Sequence, residues 1–238
     1  MPLHECNVPK SRKIREDYQT KLVFAGTSSN VYHICGTNYV LKKYLTNISA
    51  YKEICMFDYL SDKPMQYTLF PEYIDYENSA VVMKRMSPLN VLPFRSLSDK
   101  CKTNVIRSIV SAVHELHEVR IVHNDIKLEN ILYDPINLNI KLIDFSSSFF
   151  EGDPINGTTP LYDSPDAVKS KVSDIWSLGV LFLKLLGIDD DCILSGRFDT
   201  ISTVHMSKFD RLILTVALQC LHIDPDFRIT IPLIMRTV

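Results

Sequence analysis

Between Ile121 and Ser146 the chain reads IVHNDIKLENILYDPINLNIKLIDFS, and this stretch constrains the rest. Asp125 is followed two residues later by Lys127 and five residues later by Asn130, and Asp144 closes an apolar, strand-like run. The set suits chemistry done by positioning and charge neutralisation. One carboxylate can meet an incoming hydroxyl, while a second carboxylate and a carboxamide oxygen hold hard cations. Either half alone reads as ordinary Asn and Asp turn chemistry. Both at this separation carry a signal that depends on its context for confirmation.

That context needs a chain able to bury a sizeable core. At 238 residues there is room for one large or two small cores. Hydrophobic residues at 46% and charged residues at 23% are ordinary for a soluble globular protein. A formal net charge of −2 gives no reason to expect nucleic acid or an anionic membrane as partner. Cys6, Cys35, Cys55, Cys101, Cys192 and Cys220 are scattered, without C-x-x-C spacing, so they frame neither a disulfide scaffold nor a zinc site. No apolar run opens the chain or reaches membrane-spanning length. The expected location is therefore intracellular, in cytoplasm or nucleus.

Residues 1–20 form a polar leader carrying Lys10, Arg12, Lys13 and Arg15. Such a cluster is read first as a solvated face and second as a phosphate contact. KLVFAGTSSNVYHICGTNYVLKKY (21–44) predicts three short strands with turns at AGTSSN and CGTN. SAYKEICMFDYL (49–60) has helical spacing, with Ile54, Phe57 and either Met56 or Leu60 on one face and Glu53 beside it. Two more strands follow between Pro71 and Pro88, one of them the apolar run Ala80–Met83. DKCKTNVIRSIVSAVHELHE (99–118) repeats apolar residues at Val105, Ile109, Val110, Val113 and Leu116, an amphipathic helix on which His114 and His117 read as surface or packing residues. SSSFFEGDPINGTTPLYDSPD after Phe145 is a long polar loop, a length that is usually functional. The near-continuous hydrophobicity of SDIWSLGVLFLKLLG predicts a buried helix.

Several of these strings match one family. His123, Asn124, Asp125 and Asn130 resemble the H-R-D-L-x-x-x-N catalytic loop of eukaryotic-type protein kinases, and Asp144-Phe145-Ser146 resembles their D-F-G. Tyr39-Val40-Leu41-Lys42 resembles V-A-I-K, and Phe24, Gly26, Ser29 and Val31 occupy the positions of the Gly-rich loop, with one glycine kept. Thr159-Pro160 through Ser164-Pro165-Asp166 resembles the end of an activation loop. Asp174-Ile175-Trp176 and the closing CLHIDPDFRIT resemble later kinase elements. The departures are Asn124 for Arg and Ser146 for Gly.

The resemblance implies an α+β, bilobal fold. Residues 21–86 would be a small antiparallel sheet with one regulatory helix, and residues 87–238 a larger, mostly helical lobe. It implies ATP and Mg²⁺ as cofactors and a protein serine/threonine kinase activity. Lys42 would bind the α/β-phosphates, with Lys43 the competing candidate, and Glu53 would pair with that lysine. Met83, Lys84 and Met86 would border adenine. Asp125 would meet the acceptor hydroxyl, Lys127 the transferred phosphate, and Thr159 would brace both. Asn130 and Asp144 would hold Mg²⁺, and Arg228 would pair with Asp166. Because Asn124 carries no charge, activity is expected without phosphorylation of residues 147–160.

HNDIKLEN and the small size are also similar to the protein kinases of baculoviruses, which implies a late-infection role in a host cell on basic packaging proteins. Acidic residues Glu151, Asp153, Asp163 and Asp189 to Asp191 read as solvated loops, or as a surface favouring a basic substrate. A homodimer through the Glu53 helix is a partner this reading allows, since that helix is expected to be short and to expose Tyr51, Cys55 and Tyr59. Two rival functions stand beside the kinase: a non-catalytic nucleotide-binding scaffold, and a small-molecule phosphotransferase of the aminoglycoside-kinase type.

Overall fold

The structure is a computed structural model that describes residues 19–153, 160–166 and 168–238. It divides into two compact units between Met86 and Ser87.

The first unit is a five-stranded antiparallel sheet with one helix. β1 (Thr20–Ala25), β2 (Ser29–Ile34) and β3 (Tyr39–Tyr44) are β-branched and aromatic runs separated by short polar turns. After α1 (Asn47–Leu60) come β4 (Tyr73–Asp75) and β5 (Ala80–Lys84), giving the order β1-β2-β3-β5-β4. β3 is central, with Lys42 opposite Val31 on one side and Val81 on the other. Alternation along β3 buries Lys42 and leaves Lys43 exposed. α1 starts two residues earlier than the periodicity indicates and runs 14 residues, so the expectation of a short helix is corrected. Thr46 explains the early start: its hydroxyl caps the helix by accepting from Ser49 N–H at 3.2 Å. Ala50, Glu53, Ile54, Met56, Phe57 and Leu60 face inward, and Tyr51 and Cys55 face solvent.

The second unit is helical, with short strand pairs that carry loops. β6 (Ser87–Pro88) leads to α2 (Asp99–Glu118), whose stripe from Val105 to Leu116 is buried. β7 (Ile121–Val122), β8 (Ile131–Tyr133), β9 (Ile140–Leu142) and β10 (Phe149–Phe150) follow. β8 pairs with β6 and β9, and β7 pairs with β10. α3 (Lys171–Leu185) lies in the core and packs on α5 (Lys208–Cys220) at Gly179, where a Cβ would stand 2.7 Å from that of Cys220. Only glycine allows that approach. α4 (Asp190–Ser195) lies between them in sequence, and α6 (Ile231–Thr237) packs on α2.

Residues 189–191 form no loop, which corrects the first of the two readings given above. Asp189 caps α4 by accepting from Cys192 N–H at 2.7 Å, and Asp190 and Asp191 occupy its first turn, where the helix dipole favours negative charge. The expected α+β division, a sheet unit followed by a helical unit, is found. Among the described residues the cysteines are free thiols, and no helix is long and apolar enough to cross a membrane.

Candidate active site

The candidate residues fall into one group in each unit. In the first, Lys42 Nζ lies 2.5 Å from Glu53 Oε2, with side-chain exposures of 9% and 1%. Burial at that level makes the two charges interdependent, because removing either leaves the other desolvated. The β1–β2 turn is closed by Gly26 N–H donating to the Ser29 carbonyl at 3.0 Å. A Cβ at Gly26 would meet that oxygen and the Phe24 ring, each at 2.9 Å. The close approach that requires glycine here is therefore the turn's own. Ser29 is buried and Val31 half-buried, while Phe24 is 55% exposed. Met83 is buried opposite Val40, Lys84 is exposed and Met86 half-buried.

In the second unit, one carboxylate organises the loop. Asp174, at the start of α3, is fully buried. Its Oδ1 accepts from Asn124 N–H at 2.8 Å, and its Oδ2 from His123 N–H at 2.9 Å. His117 Nε2 donates to the same Oδ2 at 2.9 Å. Three donors on one buried carboxylate satisfy it and fix the two residues that precede Asp125. Asn124 itself has φ 63°, a left-handed conformation that Asn tolerates better than most residues.

Asp125 Oδ2 receives Lys127 Nζ at 2.7 Å and Asn130 Nδ2 at 2.8 Å. Asn130 also donates to the Asp125 carbonyl at 2.9 Å, so its donor end is committed and its amide oxygen lies at the other end of the group. The β8–β9 ladder adds a rung from Ile143 N–H to the Asn130 carbonyl at 2.9 Å, setting Asn130 beside Ile143-Asp144. Asp144 (φ 65°) caps the turn Phe145–Ser147.

These oxygens fit a hard divalent cation. Among the described residues no group of three or more His, Cys, Asp or Glu holds a metal alone. A carboxylate and a carboxamide near each other suit Mg²⁺, which completes its shell with water and phosphate oxygens.

His123 links the two loops. Its Nδ1 accepts from Asp125 N–H at 3.3 Å, its Nε2 donates to the Ile143 carbonyl at 3.1 Å, and its ring packs on Phe145 at 5.3 Å. Burial pushes its pKa below the ordinary value, against the pull of the Asp174, Asp125 and Asp144 carboxylates. Well above the ordinary value of about 6.5 the imidazole is neutral in both folded and unfolded chain and costs nothing. Below that, the unfolded chain takes up a proton that the folded one resists. Folding stability is therefore expected to fall by up to about 1.4 kcal/mol per pH unit, the slope for one proton. Urea midpoints at pH 7.5 and 5.5 check this, and His123→Asn should flatten the slope.

The segment from Pro160 to Asp166 is fastened at several points. Asp166 pairs with Arg228 through two bonds, at 2.7 and 2.6 Å, with side-chain exposures of 4% and 0%. Ser177 Oγ donates to the Tyr162 carbonyl at 2.8 Å. Lys169 Nζ reaches Asp163 at 2.5 Å and the Ser164 carbonyl. Burial, with the Glu129 carboxylate adding to it, pushes the Tyr162 phenol above its ordinary value, while a backbone hydrogen bond at Leu128 pulls the other way. Tyr162, Asp163 and Ser164 line a small pocket together with Asn124 and Asp125. Thr159 and the leader residues Lys10 to Arg15 lie outside the described residues.

The sequence reading missed three contributors. His117 is a buried partner of Asp174, and its signal was a polar residue continuing the apolar stripe after Val113 and Leu116. Tyr162 lies inside the string from Thr159 to Asp166 but was given no role of its own, and Lys169 leaves no periodic or motif trace.

The chain matches the family described as "Protein kinase domain" over residues 40–237. It is 43% identical over 101 residues to NUAK family SNF1-like kinase 1 of Mus musculus, covering 39% of this chain and 15% of that protein. It is 40% identical over 127 residues to NUAK family SNF1-like kinase 2 of Homo sapiens, covering 47% and 20%. A protein named probable serine/threonine-protein kinase fnkB, of Dictyostelium discoideum, is 29% identical over 127 residues, covering 48% and 23%. The matched segments thus span between 15% and 23% of these relatives.

Proposed function

Because the chain belongs to the protein kinase domain family, we propose that it transfers the γ-phosphoryl group of ATP to serine and threonine hydroxyls of a protein substrate. The observation that carries this reading is the Asp125 carboxylate, gripped on one oxygen by Lys127 and Asn130 and based on a loop pinned by Asp174. Asp125 orients the acceptor hydroxyl and takes its proton as the oxygen bonds to the γ-phosphorus. The bond from that phosphorus to the bridging oxygen breaks, and ADP leaves with the electron pair. Lys127 offsets charge on the transferred group, and Lys42, held by Glu53, offsets charge on the α/β-phosphates. Asn130 and Asp144 would hold Mg²⁺, which neutralises the rest of the phosphate charge when bound.

Lys127 supports serine/threonine specificity, as does the similarity to fnkB, named a probable serine/threonine-protein kinase. The buried Asp166–Arg228 pair and the segment it anchors favour a protein acceptor over a small molecule. The presence of Lys42, Glu53, Asp125, Asn130 and Asp144 together favours catalysis over a scaffold role. Baculovirus-type membership, a basic substrate and a homodimer through α1 belong to the same proposal at a finer level. Glu151, Asp163 and Asp190 are engaged by Lys171, Lys169 and Lys184, however, which reduces any acidic field offered to a basic substrate.

Activity is proposed to be independent of phosphorylation in residues 147–160. Asn124 is buried and donates to the Ser147 carbonyl at 3.4 Å, and β7 pairs with β10, so these contacts need no phosphate. Phosphoamino-acid analysis of random peptides containing Ser, Thr and Tyr is expected to find label on Ser and Thr, at equal rates for phosphatase-treated and untreated enzyme. Label on Tyr alone overturns the specificity, and a large loss after phosphatase overturns the independence.

A further inference from the structure

Ser146 stands where the family pattern has glycine, and the structure gives its hydroxyl a specific task. Asp144 has φ 65° and ψ 76°, and its side chain folds back over the turn Phe145–Ser147. Oδ1 of that carboxylate accepts from Ser146 Oγ at 2.7 Å and from Ser146 N–H at 3.5 Å. Glycine would supply only the longer of the two. A short hydroxyl bond to an ionised oxygen is among the stronger neutral-to-charged contacts, and it removes the rotational freedom of the carboxylate.

The frame on which it acts is fixed. Phe145 is fully buried against His123, Ser148 Oγ donates to the His123 carbonyl at 3.1 Å, and Ser148 N–H donates to the Phe145 carbonyl at 3.1 Å. The turn therefore does not shift to compensate if the hydroxyl is lost.

We propose that Ser146 is a positioning residue: its hydroxyl holds the Asp144 carboxylate in the orientation that takes the divalent cation bound with the nucleotide. This rests on the kinase reading above and adds a group that the family pattern lacks. Two opposite effects of such a bond are distinguishable. Fixing the ligand raises cation affinity, because hydrogen bonds outside the ligand shell commonly change metal binding by 10- to 100-fold. Occupying a lone pair of the same carboxylate would instead lower it. Because the hydroxyl bond at 2.7 Å is far shorter than the 3.5 Å backbone bond to the same oxygen, orientation is the larger effect.

The test is equilibrium binding of Mn²⁺, by electron paramagnetic resonance, to the full chain with saturating ADP. Ser146→Ala and Ser146→Gly are expected to weaken Mn²⁺ binding about tenfold. Ser146→Thr, which keeps the hydroxyl, is expected to stay within about twofold of the parent. Metal-free binding of a fluorescent nucleotide serves as the folding control and should be unchanged in all three. Equal or tighter Mn²⁺ binding by Ser146→Ala overturns the role of Ser146 and leaves the kinase reading intact. No Mn²⁺ uptake by the parent protein overturns both.

Discussion

Asp125→Asn is expected to lower the turnover of phosphoryl transfer by about 10²- to 10⁴-fold, the usual range for losing a positioned general base. Asparagine has the same shape and can still accept from Lys127 at the position of Oδ2, now 2.7 Å away. It cannot take a proton. The donors on Asp174 hold the backbone at His123 and Asn124, so the loop keeps its form. ATP affinity should therefore stay within about twofold, separating a lost chemical step from a lost binding site. Steady-state kinetics with a peptide acceptor, alongside nucleotide titration, measure both. A variant with near-parental turnover would remove Asp125 from the chemistry. A variant that loses nucleotide affinity would make it a structural residue.

Asp166→Ala is expected to destabilise the fold by about 3–5 kcal/mol. The Arg228 guanidinium has no exposed side-chain surface, and its remaining bonds are to the carbonyls of His222, Val172 and Ile223. It also lies over the Trp176 ring, 5.1 Å from its centre. Without Asp166 its charge is buried and uncompensated. For a chain of this size that corresponds to a fall in melting temperature of roughly 10 °C, at about 2–4 °C per kcal/mol. Replacing both residues by apolar ones of similar volume should recover part of the loss, because it removes the buried charge altogether. An unchanged melting temperature for Asp166→Ala would show that the pair contributes nothing. Burial works to raise the Asp166 pKa, but hydrogen bonds from Arg228, Ser164 and Ser173 outweigh it and hold the carboxyl below its ordinary value. The stability it supplies is thus complete above about pH 4 and is lost as the pH falls below that.

Legibility in the sequence followed the length of the physical signal. The strands that became β1, β2 and β3 and the helix that became α2 carried several residues of alternating or helical spacing, and each was readable. The start of α1 was not, because the evidence for it is a single cap, Thr46, outside the apolar repeat. β7 and β10 have two residues each, too few for any periodicity, yet their pairing sets the strand before the catalytic loop against the segment after Ser148. Asp189 to Asp191 looked like a loop because acidic residues mark helix starts as well as turns, and only the cap at Asp189 separates the two.

The candidate residues of the second unit were legible as types and spacings. The carboxylate that holds them, Asp174, is visible in the sequence only through a resemblance, and its partner His117 reads there only as a surface or packing residue, with no sign of the bond to Asp174. A buried polar side chain needs a partner, but a sequence does not say which. Ser146 shows the same limit from the other direction. As a letter it was a departure from a pattern, and its hydroxyl bond to Asp144 exists only in three dimensions.

The proposed activity moves the terminal phosphoryl group of ATP onto protein. Incubating the protein with Mg²⁺, a mixed protein acceptor and ATP labelled in either the γ- or the α-phosphate measures that transfer directly. Stable label is expected on acceptor serine and threonine from the γ-position and none from the α-position. Absence of protein label from γ-labelled ATP, whether or not the nucleotide is consumed, would contradict that activity.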